Sequence, residues 1–301
     1  MVQDHDLKHA RAGVLDIAYF DLGPPEGVPT VLLHGFPYDA HAYDRAASTL
    51  AASRHHCIVP FLRGYGATRF LSAATPRSGE QAALGADLVS LMNALGIGKA
   101  ILGGYDWGGR AACIVAALWP ERVIGLVSAG TGYNIQDIAG AASPGAPDQE
   151  AQDWYQYYFH TERGRKGLKQ QRGQICRFLW QTWSPSWSFD DATFERSSAA
   201  FDNPDFLDVV IHSYRHRYGV VPGDPAYAEV EARLEAQPDI TIPAIVLLGA
   251  DDGVDPPSME DKDAIHFKGA YRRQILAGVG HNVPQEAPTI FADAVRELRP
   301  V

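Results

Sequence analysis

The stretch LGGYDWGGR, residues 102–110, joins an apolar, β-rich run to an apolar helical run through a turn of small residues. Gly104, Asp106 and Gly108 match the strand-turn-helix elbow G-x-S-x-G, with aspartate in place of serine. The flanking glycines let the turn close tightly and direct the central side chain outward. Asp106 is therefore a candidate nucleophile, although aspartate is also favoured at the N-cap of a helix.

A carboxylate at this corner indicates a particular kind of reaction. It is ionised near neutral pH and needs no base to remove a proton before it attacks. Attack on an ester or amide would give a reactive anhydride. Attack on an epoxide or an alkyl halide gives an ordinary alkyl ester, which water can cleave afterwards. The sequence thus favours a two-step hydrolysis at saturated carbon.

The elbow belongs to a chain in which β-rich apolar runs alternate with helical stretches. This spacing predicts the α/β class, with a mostly parallel sheet flanked by helices. The runs are VLDIAYFDLG, TVLLHG, CIVP, AILGGYD, VIGLVSAG, PAIVLLGADD and RRQILAGVGH, and helices are predicted at 80–95, 107–119 and 287–298.

The strand-like runs disappear between residues 132 and 240, where the sequence becomes aromatic and polar and is interrupted by SPGAP, VPGDP and PDITIP. We predict a core of residues 1–131 and 241–301 and an inserted helical lid of residues 132–240. Open α/β sheets bind ligands beyond the carboxyl ends of their strands, so the lid is expected to cover that crevice. Its Trp and Tyr side chains suit a small organic substrate.

Two further motifs supply partners for Asp106. In HGFP, residues 34–37, the backbone N–H of Phe36 is predicted to form an oxyanion hole with that of Trp107. In GVGHNVPQE, residues 278–286, His281 lies on a glycine-flanked loop and is the predicted base for water.

The acid that orients His281 is expected after the strand PAIVLLG. Asp252, three residues past Gly249, is the preferred candidate, and Asp251 and Asp255 are the alternatives.

These motifs resemble the α/β-hydrolase superfamily, and within it the branch of epoxide hydrolases and haloalkane dehalogenases, whose members use an aspartate nucleophile. The resemblance spans almost the whole chain and includes HGFP, RGYGAT, GYDWGG, a lid after the sixth strand, GADD and GHNVPQEAP. It implies the order nucleophile, acid, histidine along the chain. It also implies hydrolysis of a small-molecule substrate with no metal and no cofactor.

The lid favours the epoxide hydrolases, because WYQYYF at 154–159 and SYRHR at 213–217 resemble their tyrosine-bearing segments. The match makes Tyr155 and Tyr214 the acid pair that protonates the opening ring, with Tyr157, Tyr158 and Tyr218 as alternatives. The predicted substrate-binding residues are His34, Pro37, Trp154, Trp180 and Trp183. Of these, His34 is expected to hold its loop by hydrogen bonds rather than to act as an acid or base.

Two other functions stay open. Dehalogenation would use Trp107 and a lid tryptophan to bind the departing halide, and a non-catalytic member would bind a small molecule without turnover. Tyr105 and Arg110 depart from the branch's usual pattern around the nucleophile. Arg110 could bind halide or carboxylate, as in fluoroacetate dehalogenases, but is expected to face the flank of the helix.

Composition excludes several classes of partner. The chain has 26 Lys and Arg against 36 Asp and Glu, a net charge of −10, which disfavours nucleic acid and anionic membranes. No run reaches the ~20 apolar residues that cross a bilayer. The N-terminus lacks a secretory signal, so we expect the protein to be cytoplasmic. We also expect it to be a monomer or a homodimer. The basic run at 162–172 is expected to be a solvated helical face, and Cys57, Cys113 and Cys176 are expected to be reduced buried thiols.

Overall fold

The computed structural model describes residues 7–300, which form a nine-stranded sheet with the order β1-β2-β4-β3-β6-β7-β8-β9 and with β5 paired to β2. Pairs from β4 to β9 along this path are parallel, and β2 pairs antiparallel with β1, β4 and β5. The strands are β1 (Leu7–Ala12), β2 (Leu15–Leu22), β3 (Val28–Leu33), β4 (His55–Pro60), β5 (Arg69–Phe70), β6 (Ala100–Tyr105), β7 (Val123–Ala129), β8 (Ala244–Gly249) and β9 (Tyr271–Leu276).

Helices flank this sheet, and six more lie in the segment predicted as a lid. The pairs α1 with α11 and α2 with α3 pack against the core, and α4 to α9 lie between β7 and β8 in the chain. The helices are α1 (Asp44–Ala52), α2 (Gln81–Ala94), α3 (Asp106–Leu118), α4 (Pro147–Gln152), α5 (Trp154–His160), α6 (Glu162–Trp183, kinked at Gln171), α7 (Asp191–Ser198), α8 (Phe206–His216), α9 (Ala228–Leu234), α10 (Val283–Glu286) and α11 (Pro288–Glu297).

The predicted α/β class is confirmed, and each predicted run and helix lies on an observed element. The strand β1 was missed because the polar N-terminal sequence has no apolar alternation. Its side chains are mostly exposed, and Ala12 is its one buried residue. Main-chain pairing with β2, from Leu7 opposite Phe20 onward, holds this edge strand instead.

The lid is fastened to the loop that follows β3. The Trp180 indole donates its Nε1–H to the Pro37 carbonyl over 2.8 Å and stacks on Tyr38 with ring centroids 4.6 Å apart. Ser197 donates to a carboxylate oxygen of Asp39 over 2.7 Å. Helices α4 to α9 lie within residues 132–240, the segment predicted as a lid, and these contacts join α6 and α7 to the loop at the carboxyl end of β3.

Other sequence expectations concern buried thiols, charge and membranes. The cysteines Cys57, Cys113 and Cys176 are free and buried, as expected. The basic run at 162–172 lies on α6 with mostly exposed side chains. Across residues 7–300, no helix combines the length and apolarity needed to span a bilayer.

Candidate active site

The elbow forms where β6 ends and α3 begins. Asp106 has φ of 50°, a left-handed conformation that costs a non-glycine residue about 1 to 3 kcal/mol and recurs at functional sites. A Cβ on Gly108 would lie 2.0 Å from the Leu33 carbonyl oxygen, and one on Gly104 would lie 2.4 Å from the Gly108 carbonyl oxygen. Only glycine therefore lets β3, β6 and α3 approach this closely.

The Asp106 carboxylate is held by a backbone donor from the neighbouring loop. Phe36 N–H donates to Asp106 Oδ1 over 2.7 Å, and the Phe36–Pro37 peptide is cis. Burial raises the pKa of Asp106, but the facing His281, the Arg110 guanidinium and the Phe36 N–H outweigh it, so the pKa lies below its usual value. The Asp106 carboxylate is accordingly ionised, with one oxygen already in a hydrogen bond.

His281 completes a chain of three side chains. Its Nε2 lies 3.9 Å from Asp106 Oδ2, and its Nδ1 lies 2.8 Å from Asp252 Oδ2. Asp252 Oδ1 accepts hydrogen bonds from the backbone N–H groups of Val254 and Asp255, both 2.9 Å long. Burial lowers the pKa of His281, but the two carboxylates prevail and raise it well above its usual value.

The two alternative acids have other partners. The Asp255 carboxylate accepts a 2.6 Å hydrogen bond from the Thr131 hydroxyl, and burial raises its pKa to about 6. Asp251 is attached to the β9 loop through its backbone N–H, which donates to the Val279 carbonyl. Among these three carboxylates, Asp252 is the one that contacts the imidazole.

Two buried tyrosines of the lid meet above the Phe36 ring. Tyr155 on α5 and Tyr214 on α8 are edge to face, with ring centroids 5.3 Å apart. The Phe36 ring lies 6.4 Å from Tyr155 and 5.3 Å from Tyr214. Tyr214 Oη is buried without a hydrogen-bond partner among residues 7–300, and burial raises the pKa of both phenols well above the usual value. The pair therefore stays protonated and faces the site.

The alternative tyrosines lie toward the outside of the lid. Tyr157 donates a hydrogen bond to Glu150 and contacts the Tyr218 hydroxyl. Tyr158 packs between Trp154 and Phe159. None of these contacts brings a phenol to Asp106.

Two predicted substrate-binding residues, Trp154 and Trp180, are placed differently from the expectation, whereas His34 forms structural hydrogen bonds as expected. Trp154 is 39% exposed on the lid surface, and Trp180 donates its indole N–H to the Pro37 carbonyl. His34 hydrogen-bonds through Nδ1 to the Gly35 carbonyl of its own loop and through Nε2 to the loop after β4. The His34 Nε2 accepts from Leu62 N–H, and burial lowers the pKa of His34 to about 4, so the neutral ring acts as a structural link.

Two other predicted substrate-binding residues, Trp183 and Pro37, lie closer to Asp106 and His281. Arg110 also lies near the site. Trp183 has ring centroids 5.0 Å from Tyr155 and 5.2 Å from His281, so it lines the site. Pro37 follows Phe36 directly in the loop. Arg110 does not face the helix flank as expected, because its buried guanidinium acts electrostatically on Asp106, Tyr155 and Tyr214.

Comparison with known proteins agrees with this geometry. A family model described as the alpha/beta hydrolase fold matches residues 28–288, which include the elbow, the lid and His281. The chain belongs to the α/β hydrolase family.

Relatives of this α/β hydrolase carry epoxide hydrolase names. A candidate epoxide hydrolase from Klebsiella pneumoniae is 47% identical, with a TM-score of 0.94 over 97% of this chain and 96% of that one. Epoxide hydrolase A of Mycobacterium tuberculosis is 24% identical over 92% of each chain. A candidate epoxide hydrolase from Pseudomonas aeruginosa, 20% identical, has a TM-score of 0.79 over 99% of each chain and shares the fold.

The hydrolase site also contains residues that sequence reasoning missed. Asn134 Nδ2 donates to the Asp106 carbonyl over 2.7 Å and so holds the backbone of the elbow. Ser184 accepts from His281 N–H over 3.0 Å and donates to Glu286 over 2.7 Å. Glu286 also accepts from the backbone N–H of Gly280 and Asn282. These side chains position Asp106 and His281, and no sequence motif singles out Asn134 or Ser184.

Proposed function

We propose that this α/β hydrolase opens small organic epoxides to vicinal diols through an alkyl ester on Asp106. One observation carries the proposal. The Asp106 carboxylate has Oδ1 bound by Phe36 N–H and Oδ2 facing His281. The buried phenols of Tyr155 and Tyr214 contact each other and are within electrostatic range of that carboxylate. The names of the relatives support the same reaction.

The first step forms the ester. Asp106 Oδ2 bonds to a ring carbon as the carbon–oxygen bond of the epoxide breaks, and the ring oxygen takes a proton from Tyr155 or Tyr214. An alkoxide is a poor leaving group, so proton donation is worth about 10²- to 10⁴-fold in rate. The raised pKa of these phenols keeps the proton in place until the ring oxygen gains charge.

The second step cleaves the ester. Water gives a proton to His281 Nε2 while its oxygen adds to Cγ of Asp106, and the resulting oxyanion at Oδ1 is bound by Phe36 N–H. The backbone N–H of Trp107 is the proposed second donor. Collapse expels the diol oxygen, which takes the proton from His281, and the acid proton of Asp106 returns to the tyrosinate. Asp252 stabilises the imidazolium that forms in between.

Dehalogenation is supported by one feature, the buried Trp107 Nε1, which has no partner among residues 7–300. Its lid partner is harder to supply, since Trp154 is exposed and the Trp180 indole N–H is bonded to Pro37. Two phenols suit an alkoxide better than a halide, which leaves without a proton. The intact chain from Asp106 to His281 and Asp252 argues against a non-catalytic receptor.

Trapping the ester tests the proposal. A His281→Gln variant is mixed with styrene oxide or 1-chlorobutane, and the reaction is quenched and the protein digested. Mass spectrometry then measures the mass of the peptide that contains Asp106. The proposal expects a mass gain equal to the whole epoxide, and no gain when Asp106 is also changed to Asn. A butyl group on Asp106 together with chloride release would establish dehalogenation instead, and an unlabelled peptide in both reactions would refute a covalent mechanism.

Cytoplasmic location and a monomeric or homodimeric state stay predictions.

A further inference from the structure

The nucleophile lies behind a wall of buried side chains. The side chain of Asp106 is 15% exposed and that of His281 is 3% exposed. The rings of Trp107, Tyr155 and Tyr214 beside them are buried. Because so little of the carboxylate is exposed, an epoxide reaches it only when side chains of this wall move. The side chains that move should have few contacts and should border a groove that is open to solvent.

A groove on the outer side of the lid comes close to the two buried phenols. It has a volume of about 510 Å³ and lies between residues 136–145, helices α4 and α5 and the end of α8. Gln156 and Arg217 line it. Gln156 follows Tyr155 on α5, and the Arg217 guanidinium lies 4.5 Å from the centre of the Tyr214 ring. Both residues therefore border the groove and lie next to a phenol of the site.

A row of hydrogen bonds holds these two side chains in place. Arg217 Nη1 donates to Gln156 Oε1 over 2.8 Å, and Gln156 Nε2 donates to Asp153 Oδ1 over 2.5 Å. The buried Nε and Nη2 atoms of Arg217 have no hydrogen-bond partner within residues 7–300. Buried N–H groups without a partner are costly, and solvent in the groove can satisfy them once the side chain turns outward. Outward rotation of Arg217 therefore recovers part of the free energy lost with its contacts to Gln156 and Tyr214.

A second groove at the edge of the lid is closed more firmly. It has a volume of about 890 Å³ and lies between α1 and α7. Ser197 lines this groove and donates to Asp39. Trp187, in its wall, stacks on Trp180, and the Trp180 indole N–H is bonded to Pro37. Entry past these residues would break the two hydrogen bonds that join the lid to the loop after β3, so this route is the costlier one.

We propose that Gln156 and Arg217 form a gate through which the substrate passes from the outer groove of the lid to Asp106. This inference rests on the proposed function for the identity of the substrate. In the closed gate the Arg217 guanidinium covers the face of Tyr214 and is bonded to Gln156. When Arg217 turns into the groove, the space beside the two phenols opens. The gate thereby limits the width of the epoxides that enter.

Blocking the groove from outside tests the route. Ser143→Cys, at an exposed position of the outer groove, is labelled with a bulky maleimide, and turnover of styrene oxide is measured before and after labelling. The three native cysteines are buried, so the label reacts with the introduced thiol. The label should lower kcat/KM by about tenfold or more, because entry becomes limiting. Ser188→Cys, at an exposed position of the second groove, is the matched control and should keep its activity after labelling.

Shortening the two side chains tests the gate itself. Gln156→Ala keeps the charge of Arg217 beside Tyr214 but removes its hydrogen bond, and Arg217→Ala removes the guanidinium. Each variant should raise kcat/KM for 2-naphthyloxirane severalfold relative to the narrower styrene oxide, mainly by lowering KM. Equal slowing of both epoxides would mean that these residues only support the phenols, and it would refute the gate. If either variant unfolds early, the labelling test decides, because its gate residues are unchanged.

A binding measurement separates this inference from the proposed function. Stopped-flow tryptophan fluorescence follows the association of 1-phenyl-1,2-ethanediol, the diol of styrene oxide, since Trp107 and Trp183 lie at the site. Slower association in labelled Ser143→Cys, and not in labelled Ser188→Cys, supports the gate even if no epoxide is turned over. Turnover of styrene oxide that neither label slows refutes the gate and leaves the proposed function standing. Slowing by the Ser188→Cys label alone would assign entry to the second groove and overturn the proposal.

Discussion

His281 Nε2 and Asp106 Oδ2 face each other across 3.9 Å, too far for a hydrogen bond. The Nε2 atom is buried and has no other partner among residues 7–300. A water molecule beside this gap can contact the imidazole and approach Cγ of the ester at the same time. The separation therefore suits a base that acts on water rather than on the nucleophile.

Replacing both lid phenols should impair the first chemical step. We expect Tyr155→Phe with Tyr214→Phe to slow ester formation by about 10²- to 10⁴-fold, because the ring oxygen loses its proton donors. Rapid-quench single-turnover kinetics with styrene oxide measure this step. Tyr157→Phe, whose hydroxyl bonds to Glu150 on the outer side of the lid, is the control and should react at the wild-type rate. Wild-type ester formation in the double variant would remove the tyrosines from the mechanism.

Asn134 should affect the reactivity of Asp106, although it contacts the Asp106 backbone carbonyl and not the carboxylate. Asn134→Ala removes the hydrogen bond to the Asp106 carbonyl, and we expect it to lower the free energy of unfolding by about 1 kcal/mol. Ester formation should slow while KM changes little, since the elbow is less firmly held. Urea unfolding and single-turnover kinetics measure the two effects. A variant with normal stability and normal ester formation would show that the left-handed elbow needs no such support.

The titration of His281 should depend on Asp106. Both carboxylates raise the pKa of the folded imidazole, so Asp106→Asn is expected to lower it. Because the folded pKa is raised, the contribution to stability is fully present below the unfolded value of about 6.5 and is lost as pH rises through the folded pKa. NMR titration of the imidazole nitrogens in both proteins measures the shift. An identical pKa in both would mean that Asp106 and His281 are not coupled.

The electrostatic coupling between Asp106 and His281 should also affect the rate of ester hydrolysis. Esterification neutralises Asp106 and removes one of the two charges that hold the His281 proton. The imidazole is therefore expected to become a free base more readily in the ester than in the resting enzyme, and the hydrolysis step should speed up as pH rises through its lowered pKa.

The fastening of the lid should be measurable as stability. Trp180→Phe leaves the buried Pro37 carbonyl without its donor, and we expect a loss of about 1 to 3 kcal/mol in the free energy of unfolding. Thermal and urea unfolding measure it. Trp154→Phe, at an exposed lid position, is the control and should stay within about 0.5 kcal/mol of the wild type. Equal stability of the two variants would contradict a structural role for the Trp180 indole.

The sequence predicted the elements that have a local signal. The buried parallel strands are continuous apolar runs, and the glycines around Asp106 mark the elbow because the backbone leaves no room there for a Cβ. The edge strand β1 has no such signal, since its hydrogen bonds to β2 hold it in place and its side chains face solvent.

Contacts between distant segments were harder to predict. Trp154 and Trp180 are equally aromatic in sequence, yet one is exposed and the other donates its indole N–H to the Pro37 carbonyl of a distant segment. Arg110 was assigned to a helix flank, although its spacing of four residues from Asp106 puts both residues on the same side of α3. Asn134 gives no signal at all, since an asparagine in a loop is ordinary until its partner is known.

The hydrogen bond from Trp180 to the Pro37 carbonyl joins the lid to the loop after β3. Phe36, the residue before Pro37 in that loop, donates its backbone N–H to Asp106. Trp180 and Pro37 are 143 residues apart in sequence, but their hydrogen bond makes the lid and this loop move together. A chimera that imports a foreign lid to change specificity would therefore also disturb the hydrogen bond from Phe36 N–H to Asp106, unless residues 34–37 are transplanted with it.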